Sequence, residues 1–253
     1  MGARGQAMGN ASACHSDEWS ILNNVAGLAE ANQVSLAMSY DALPILPAFG
    51  KMGLAVTLPG TVTGGLGLYR FGDAVYNEQL VAAGMATQWN HTSLGMKVNY
   101  IRYAADGLGS KSVFSASLGG ITKLAPWLTI GAHISNVNQP WLSKQFDERL
   151  PTTLTAGLLF ALAPQVSVAT EIEKRINDVA TGRAGLEFTL QEKFTARLGF
   201  QLHPQALSGG FGFKLRYFLA DYSMLYVQSL GMRHQASVAY RLPGKTRERT
   251  KRE

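Results

Sequence analysis

The chain has 253 residues, of which 46% are hydrophobic and only 16% charged, with 27 glycines and a formal charge of +6. Its length suits one domain, and a mean hydropathy of +0.01 is what results when lipid-facing and lumen-facing residues cancel in a membrane barrel. Two classes are excluded: a disulfide scaffold, because Cys14 is the only cysteine, and a helical membrane protein, because no stretch approaches the ~18 continuous apolar residues of a spanning helix.

Residues 1–32 do not alternate and are read as a segment separate from the rest of the chain, with Asp17-Glu18-Trp19-Ser20 as a short helix start. Cys14 after Ser12-Ala13 resembles a lipidation site, yet no apolar stretch precedes it, and lipidation is rejected. A barrel that must cross an inner membrane needs a signal peptide, and none is visible, so the expectation is a mature chain or a truncated start.

Alternation with period two runs from residue 33 to residue 242 in about fourteen short segments, or twelve if the weaker hairpins around 61–88 are misread. The clearest lie at 34–40, 52–58, 93–100, 166–172, 183–190, 194–202, 210–216 and 235–242. In 194–202, Phe194, Ala196, Leu198, Phe200 and Leu202 share one face, and Thr195, Arg197, Gly199 and Gln201 the other. Each segment is long enough, when tilted, to cross a bilayer. A soluble sandwich would carry long charged side chains on its polar face. Here that face is mostly Gly, Ser, Thr and Ala, which suits a confined lumen. The predicted fold is therefore all-β, a transmembrane antiparallel up-and-down barrel over 33–242 with a short N-terminal plug segment over 1–32.

Short connections at 59–60, 89–90, 125–127, 163–165, 191–193 and 217–218 alternate with longer ones at 43–51, 72–78, 105–110, 137–151, 175–182, 203–207 and 229–232. Outer-membrane barrels keep short turns toward the periplasm, so both termini are expected there and the strand number is expected to be even. Trp89, Trp127, Phe194, Tyr217 and Phe218 beside the short turns, and Tyr40, Phe71, Tyr76 and Tyr103 near the long loops, are expected to form two aromatic belts facing outer-membrane lipid and lipopolysaccharide. Residues 243–253 hold five Lys or Arg against two Glu and read as a basic, solvated periplasmic tail. No folded basic face with interleaved stacking aromatics is evident, which argues against nucleic acid as a partner.

Catalysis would need a nucleophile and a base within reach. His133 with Ser135 is the one His-Ser pair on a strand face, and no third group accompanies it; the other histidines lack metal-ligand spacing. No enzyme activity, metal or cofactor is expected. Gly64-Gly65-Leu66-Gly67-Leu68 lacks the third glycine and the helix of a dinucleotide fingerprint. The inward parity instead carries a set of charges: Lys97, Glu171, Glu173, Arg183, Glu187, Arg197, Lys214, Arg216, Asp221 and Arg241. Acids and bases interleave on neighbouring strands, which makes cross-strand pairing easy, and a salt-bridged lumen that holds the plug is the expectation.

Gly2-Ala3-Arg4, then Ala7-Met8-Gly9-Asn10-Ala11, then Asn24-Val25-Ala26-Gly27-Leu28-Ala29 occur in order before the first strand. Tyr76-Asn77-Glu78-Gln79 and Asp147-Glu148-Arg149-Leu150-Pro151 lie further along the chain. This order resembles the FadL-like superfamily of outer-membrane barrels, in particular the PorV/PorQ branch typical of Bacteroidetes. The resemblance implies fourteen strands and an inward-folded plug whose motif is Asn24, Ala26 and Gly27. Val25 stands where the family has proline, which removes a fixed φ from the plug turn. The resemblance also implies a non-catalytic accessory barrel with secretion-system proteins as partners in type IX secretion or surface export. The alternative is FadL-like passive transport of small hydrophobic compounds.

Overall fold

The computed structural model describes residues 1–143, 147–176, 178–228 and 230–243; nearly all of the expected basic tail lies outside them. Fourteen antiparallel strands close into one barrel. In chain order they are β1 Ser35–Ala42, β2 Lys51–Leu58, β3 Thr63–Gly72, β4 Tyr76–Trp89, β5 Thr92–Ala105, β6 Gly109–Ala125 and β7 Leu128–Ser135. A small hairpin, β8 Trp141–Ser143 with β9 Glu148–Arg149, sits in the long connection after β7. The barrel continues as β10 Thr153–Ala163, β11 Val166–Arg175, β12 Thr181–Leu190, β13 Phe194–Gln201, β14 Ala206–Lys214, β15 Phe218–Val227 and β16 Gly231–Arg241.

Each barrel strand pairs with the barrel strands before and after it, β7 pairing with β10 past the small hairpin, and β1 pairs with β16, so the barrel leaves no edge along its seam. The count of fourteen holds because the stretch around 61–88 forms two full strands, β3 and β4. Two-residue turns join β4 to β5, β6 to β7 and β10 to β11, all at one end of the barrel, and in the first of them Asn90 takes a left-handed φ of 52°. Strict alternation of length fails at β2–β3, whose four-residue connection is longer than the three-residue one between β3 and β4.

Alternation maps onto the wall directly. On β1, Ser35, Ala37, Ser39 and Asp41 are buried, while Leu36, Met38 and Tyr40 are exposed. On β13, Arg197 and Gln201 are buried while Leu198 is 64% exposed, an arrangement that only a surrounding apolar medium makes favourable. The core is therefore the lumen. It is filled by residues 1–32, among which Ala3, Met8, Ile21, Val25 and Leu28 are essentially inaccessible.

The outer aromatic belt differs from the expectation. Phe71, Tyr76 and Tyr103 have lumen parity: Phe71 and Tyr103 flank Glu78 in one row, Tyr76 is two residues from Glu78, and Tyr103 is two residues from buried Ile101, so of the four expected residues only Tyr40 faces outward. Proximity to a long loop suggested the belt, but parity decides which medium a strand residue meets. Tyr100 and Phe114, with ring centroids 5.3 Å apart, and Tyr226 occupy the outward positions instead. Arg216 is also corrected: it lies in the turn after β14, its guanidinium 4.9 Å from the Tyr217 ring centroid.

Candidate functional site: the occupied lumen

A short helix, α1 Ala3–Ala7, opens the N-terminal segment, and a 3-10 turn, Val25–Glu30, closes it. The first half leans on the charged wall. Arg4 donates to both Glu187 carboxylate oxygens at 3.0 and 2.8 Å, and lies 3.6 Å from Asp17. Arg197 bridges Glu187 and Asp221 at 2.6 Å each. Charge-assisted bonds of this kind are roughly twice as strong as neutral ones, and here each cation is shared by two acids.

Glu171 has a second task. One of its oxygens accepts from the Ser12 and Ala13 amides at 2.8 and 2.7 Å, while the other is held by Arg183 at 2.7 Å; Arg183 also reaches Glu173 at 3.0 Å. Backbone groups brought into a lumen must find partners, and strand side chains supply them. The Gly9 amide donates to Ser208, whose hydroxyl donates to the Ala7 carbonyl, both at 3.0 Å. Gln6 accepts from Ser223 at 2.7 Å.

Asn24 anchors the second half. Its side-chain amide donates to the carbonyls of Ala13, Gly120 and Ala132 at 2.6, 3.2 and 3.2 Å, and its oxygen caps the 3-10 turn by accepting from the Ala26 amide. A Cβ on Gly27 would lie 2.5 Å from the Ser20 hydroxyl and 2.7 Å from the His15 carbonyl, so the motif glycine is required by close approach. Val25 opens the turn without proline. Lys97 donates to the Ile21 and Asn23 carbonyls at 2.8 and 3.2 Å, so this lumen cation serves backbone oxygens and not a carboxylate. Trp19, Ile21, Val25 and Leu28 pack against a wall of Ala37, Ala55, Ala82 and Ala86.

Of the expected charge set, Glu171, Glu173, Arg183, Glu187, Arg197 and Asp221 meet in one region, and Arg241 pairs separately with Glu18 at 2.6 Å. Lys214 is exposed at the short-turn rim. Asp41 and Arg233 form a further lumen ion pair that alternation would have revealed, since Asp41 continues the parity of Ser35, Ala37 and Ser39. Arg4, Asp17 and Glu18 were not legible, because residues outside the strands carry no parity. The His133 ring lies 3.3 Å from the Ser135 hydroxyl and, among the described residues, gathers no carboxylate or metal-ligand cluster.

The segment leaves a cavity on each side. Toward the long loops, about 390 Å³ is lined by Asp41, Lys51, Glu173, Arg233 and Gln235 above a floor of Gln6, Asn10 and Leu22. Toward the short turns, about 340 Å³ is lined by Arg4, Glu18, Glu187, Arg197, Lys214 and Asp221. Above the first cavity, the β3–β6 side of the mouth is aromatic. Phe71 packs 5.7 Å from Phe49, Tyr76 donates to Glu78 at 2.7 Å, and Tyr69 and Tyr103 share their parity.

No family model and no curated protein matches the chain. Among solved structures it is similar to the CymD monoaromatic hydrocarbon channel, with a TM-score of 0.74 and 13% identity over 96% of this chain and 98% of that one. It is equally similar to a deltaS2S3 mutant of the TodX monoaromatic hydrocarbon channel, at 0.74 and 13% over 95% and 98%. At such identity the likeness shows a shared fold, that of outer-membrane channels, and the finer PorV/PorQ resemblance has no counterpart in it.

Proposed function

We propose that this protein is a passive outer-membrane channel for small molecules with an apolar body, with its long-loop mouth outside and both termini in the periplasm. The observation that carries the reading is a lumen occupied by the chain's own N-terminal segment, with an aromatic rim leading to one cavity and a charged cavity beyond. The fold shared with CymD and TodX, whose names describe hydrocarbon channels, supports it. The partner-binding role in secretion rests on the resemblance of short motifs alone, so transport takes precedence over it.

Solute would collect at Tyr69, Phe71 and Tyr103, where rings offer apolar area with a polar edge. It would pass inward only as residues 1–32 shift, because strand side chains and segment backbone fill the cross-section together. The ionic contacts of Arg4 and Glu187 would set how readily that shift occurs. Uptake of labelled toluene by an outer-membrane strain lacking its own hydrocarbon channel tests this. Expression should raise toluene uptake and leave sucrose uptake unchanged; no rise in toluene uptake, or an equal rise for sucrose, overturns the reading.

A further inference from the structure

The outward face of the barrel has a charge asymmetry that the lumen does not share. Every carboxylate on a barrel strand, namely Asp41, Glu78, Glu171, Glu173, Glu187 and Asp221, has lumen parity. Among the described strand residues, the outward-facing charges are Arg70, Arg102 and Lys174, all cations. Lys174 is engaged locally by the Asp178 carbonyl. Arg70 and Arg102 have no ion-pair partner among the described residues, and both are exposed.

These two arginines belong to one hydrogen-bonded row, Arg70 opposite Gln79 and Gln79 opposite Arg102, which continues to Ser112. The next outward row toward the membrane is Leu68, Val81, Tyr100 and Phe114, and the Tyr100 hydroxyl reaches Ser112 at 2.8 Å. A rise of about 3.4 Å per residue and a tilt of about 40° put Arg102 roughly 20 Å above Leu94, near the top of an apolar band about 25 Å tall. Strands about 4.8 Å apart place the two arginine Cα atoms about 10 Å from each other, within reach of one tetrahedral anion held over Gln79.

We propose that Arg70, Gln79, Arg102 and Ser112 form a binding site for the phosphorylated headgroup of an outer-leaflet lipid. The acyl chains would lie on Leu68, Val81 and Phe114 below. Guanidinium forks suit phosphate oxygens; the Gln79 amide between them, which donates one hydrogen to Asn77 at 3.1 Å, and the Ser112 hydroxyl beyond Arg102 add neutral donors. A lipid is favoured over a soluble anion because the row is continuous with apolar surface on its membrane side and does not open into the lumen. The inference rests on the reading that the long-loop rim faces the outer leaflet; it does not depend on what the channel conducts.

The test is native mass spectrometry of the full chain purified in detergent, titrated with hexa-acylated lipid A bearing two phosphates. Wild type should retain one lipid A, and Arg70→Gln with Arg102→Gln should weaken retention at least about tenfold, the scale of losing charge-assisted bonds. Lys174→Gln should retain it as wild type does. Heat-modifiable gel migration confirms that each variant is folded. Should the double variant not fold, wild-type protein with dephosphorylated lipid A gives the same decision, since retention should fall as far. Equal retention of dephosphorylated lipid, equal retention by the folded double variant, or displacement of lipid A by equimolar inorganic phosphate would each overturn the proposal. Because binding is read in detergent, it fails or holds independently of toluene uptake.

Discussion

The two halves of the lumen wall hold the same segment by different physics. From β11 to β15 the wall is polar, and contact with residues 3–13 runs through Glu171, Glu187, Ser208 and Ser223. From β1 to β7 the wall is built mostly of small side chains, Ala, Gly, Ser and Thr, and contact with residues 19–29 runs through alanines, glycines, the side-chain amide of Asn24 and the Lys97 ammonium. The charged half gives directional contacts that break one at a time. The half lined by small residues gives close packing that tolerates little extra volume, as a Cβ on Gly119 would sit 2.0 Å from the Asn24 side-chain oxygen and one on Gly95 2.8 Å from the Val25 carbonyl carbon. Under the proposed transport function, a shift of the segment would begin where contacts are discrete.

Removing both sets at once should have the largest effect. Deletion of residues 2–30 should convert a barrel with little steady conductance in planar bilayers into one with a large conductance, and an intact chain that already conducts strongly would refute an occluded lumen. Gly199→Leu should do the same for the charged half alone. A Cβ there would lie 2.0 Å from the Gly9 amide nitrogen, so residues 1–13 must leave the wall, and intermediate conductance is the expected readout.

Arg197→Ala comes next. It leaves Asp221 without its ion-pair partner and Glu187 with Arg4 alone, and removing one partner of a buried ionic group costs about 3–5 kcal/mol. Urea unfolding in lipid vesicles measures this, and a loss below about 1 kcal/mol would show that water, not Arg197, solvates those acids. Asn24→Ala should cost about 1–3 kcal/mol by orphaning strand carbonyls. Its diagnostic feature is locality: amide exchange should rise over residues 20–30 and stay slow over residues 3–10. Equal acceleration in both regions would mean that the halves act as one unit. The smallest effect, and of opposite sign, is Val25→Pro. Asn24 is already extended (φ −85°, ψ 109°) and residue 25 opens the turn, so proline should stabilise by about 0.4–1 kcal/mol. A lower unfolding midpoint would show that the turn needs a freedom that valine has and proline lacks.

How much of this could be read from residue order differs between the same two halves. The strands and their sidedness come from local alternation, so Glu171, Glu187, Arg197 and Asp221 were found as lumen residues without any knowledge of contacts. The same parity contained Asp41 and Arg233, and it also contained the inward placement of Phe71, Tyr76 and Tyr103, which closeness to loops had obscured. By contrast, nothing local ties Arg4 to Glu187 across 183 positions, or explains why Gly119 and Gly131 must be glycine. In the second case the reason is Asn24 and the Ala13 carbonyl, 2.2 Å from where the Gly131 Cβ would be.

Period two fixed the barrel and which face meets lipid, and narrowed the strand number to twelve or fourteen, because each strand's side chains alternate whatever the rest of the chain does. Tertiary structure decided which lumen charges pair, which glycines make room and where the N-terminal segment lies. Those depend on how a closed cylinder brings distant strands around one short, non-repeating stretch, and a stretch without periodicity carries no local signal of the surface it will meet.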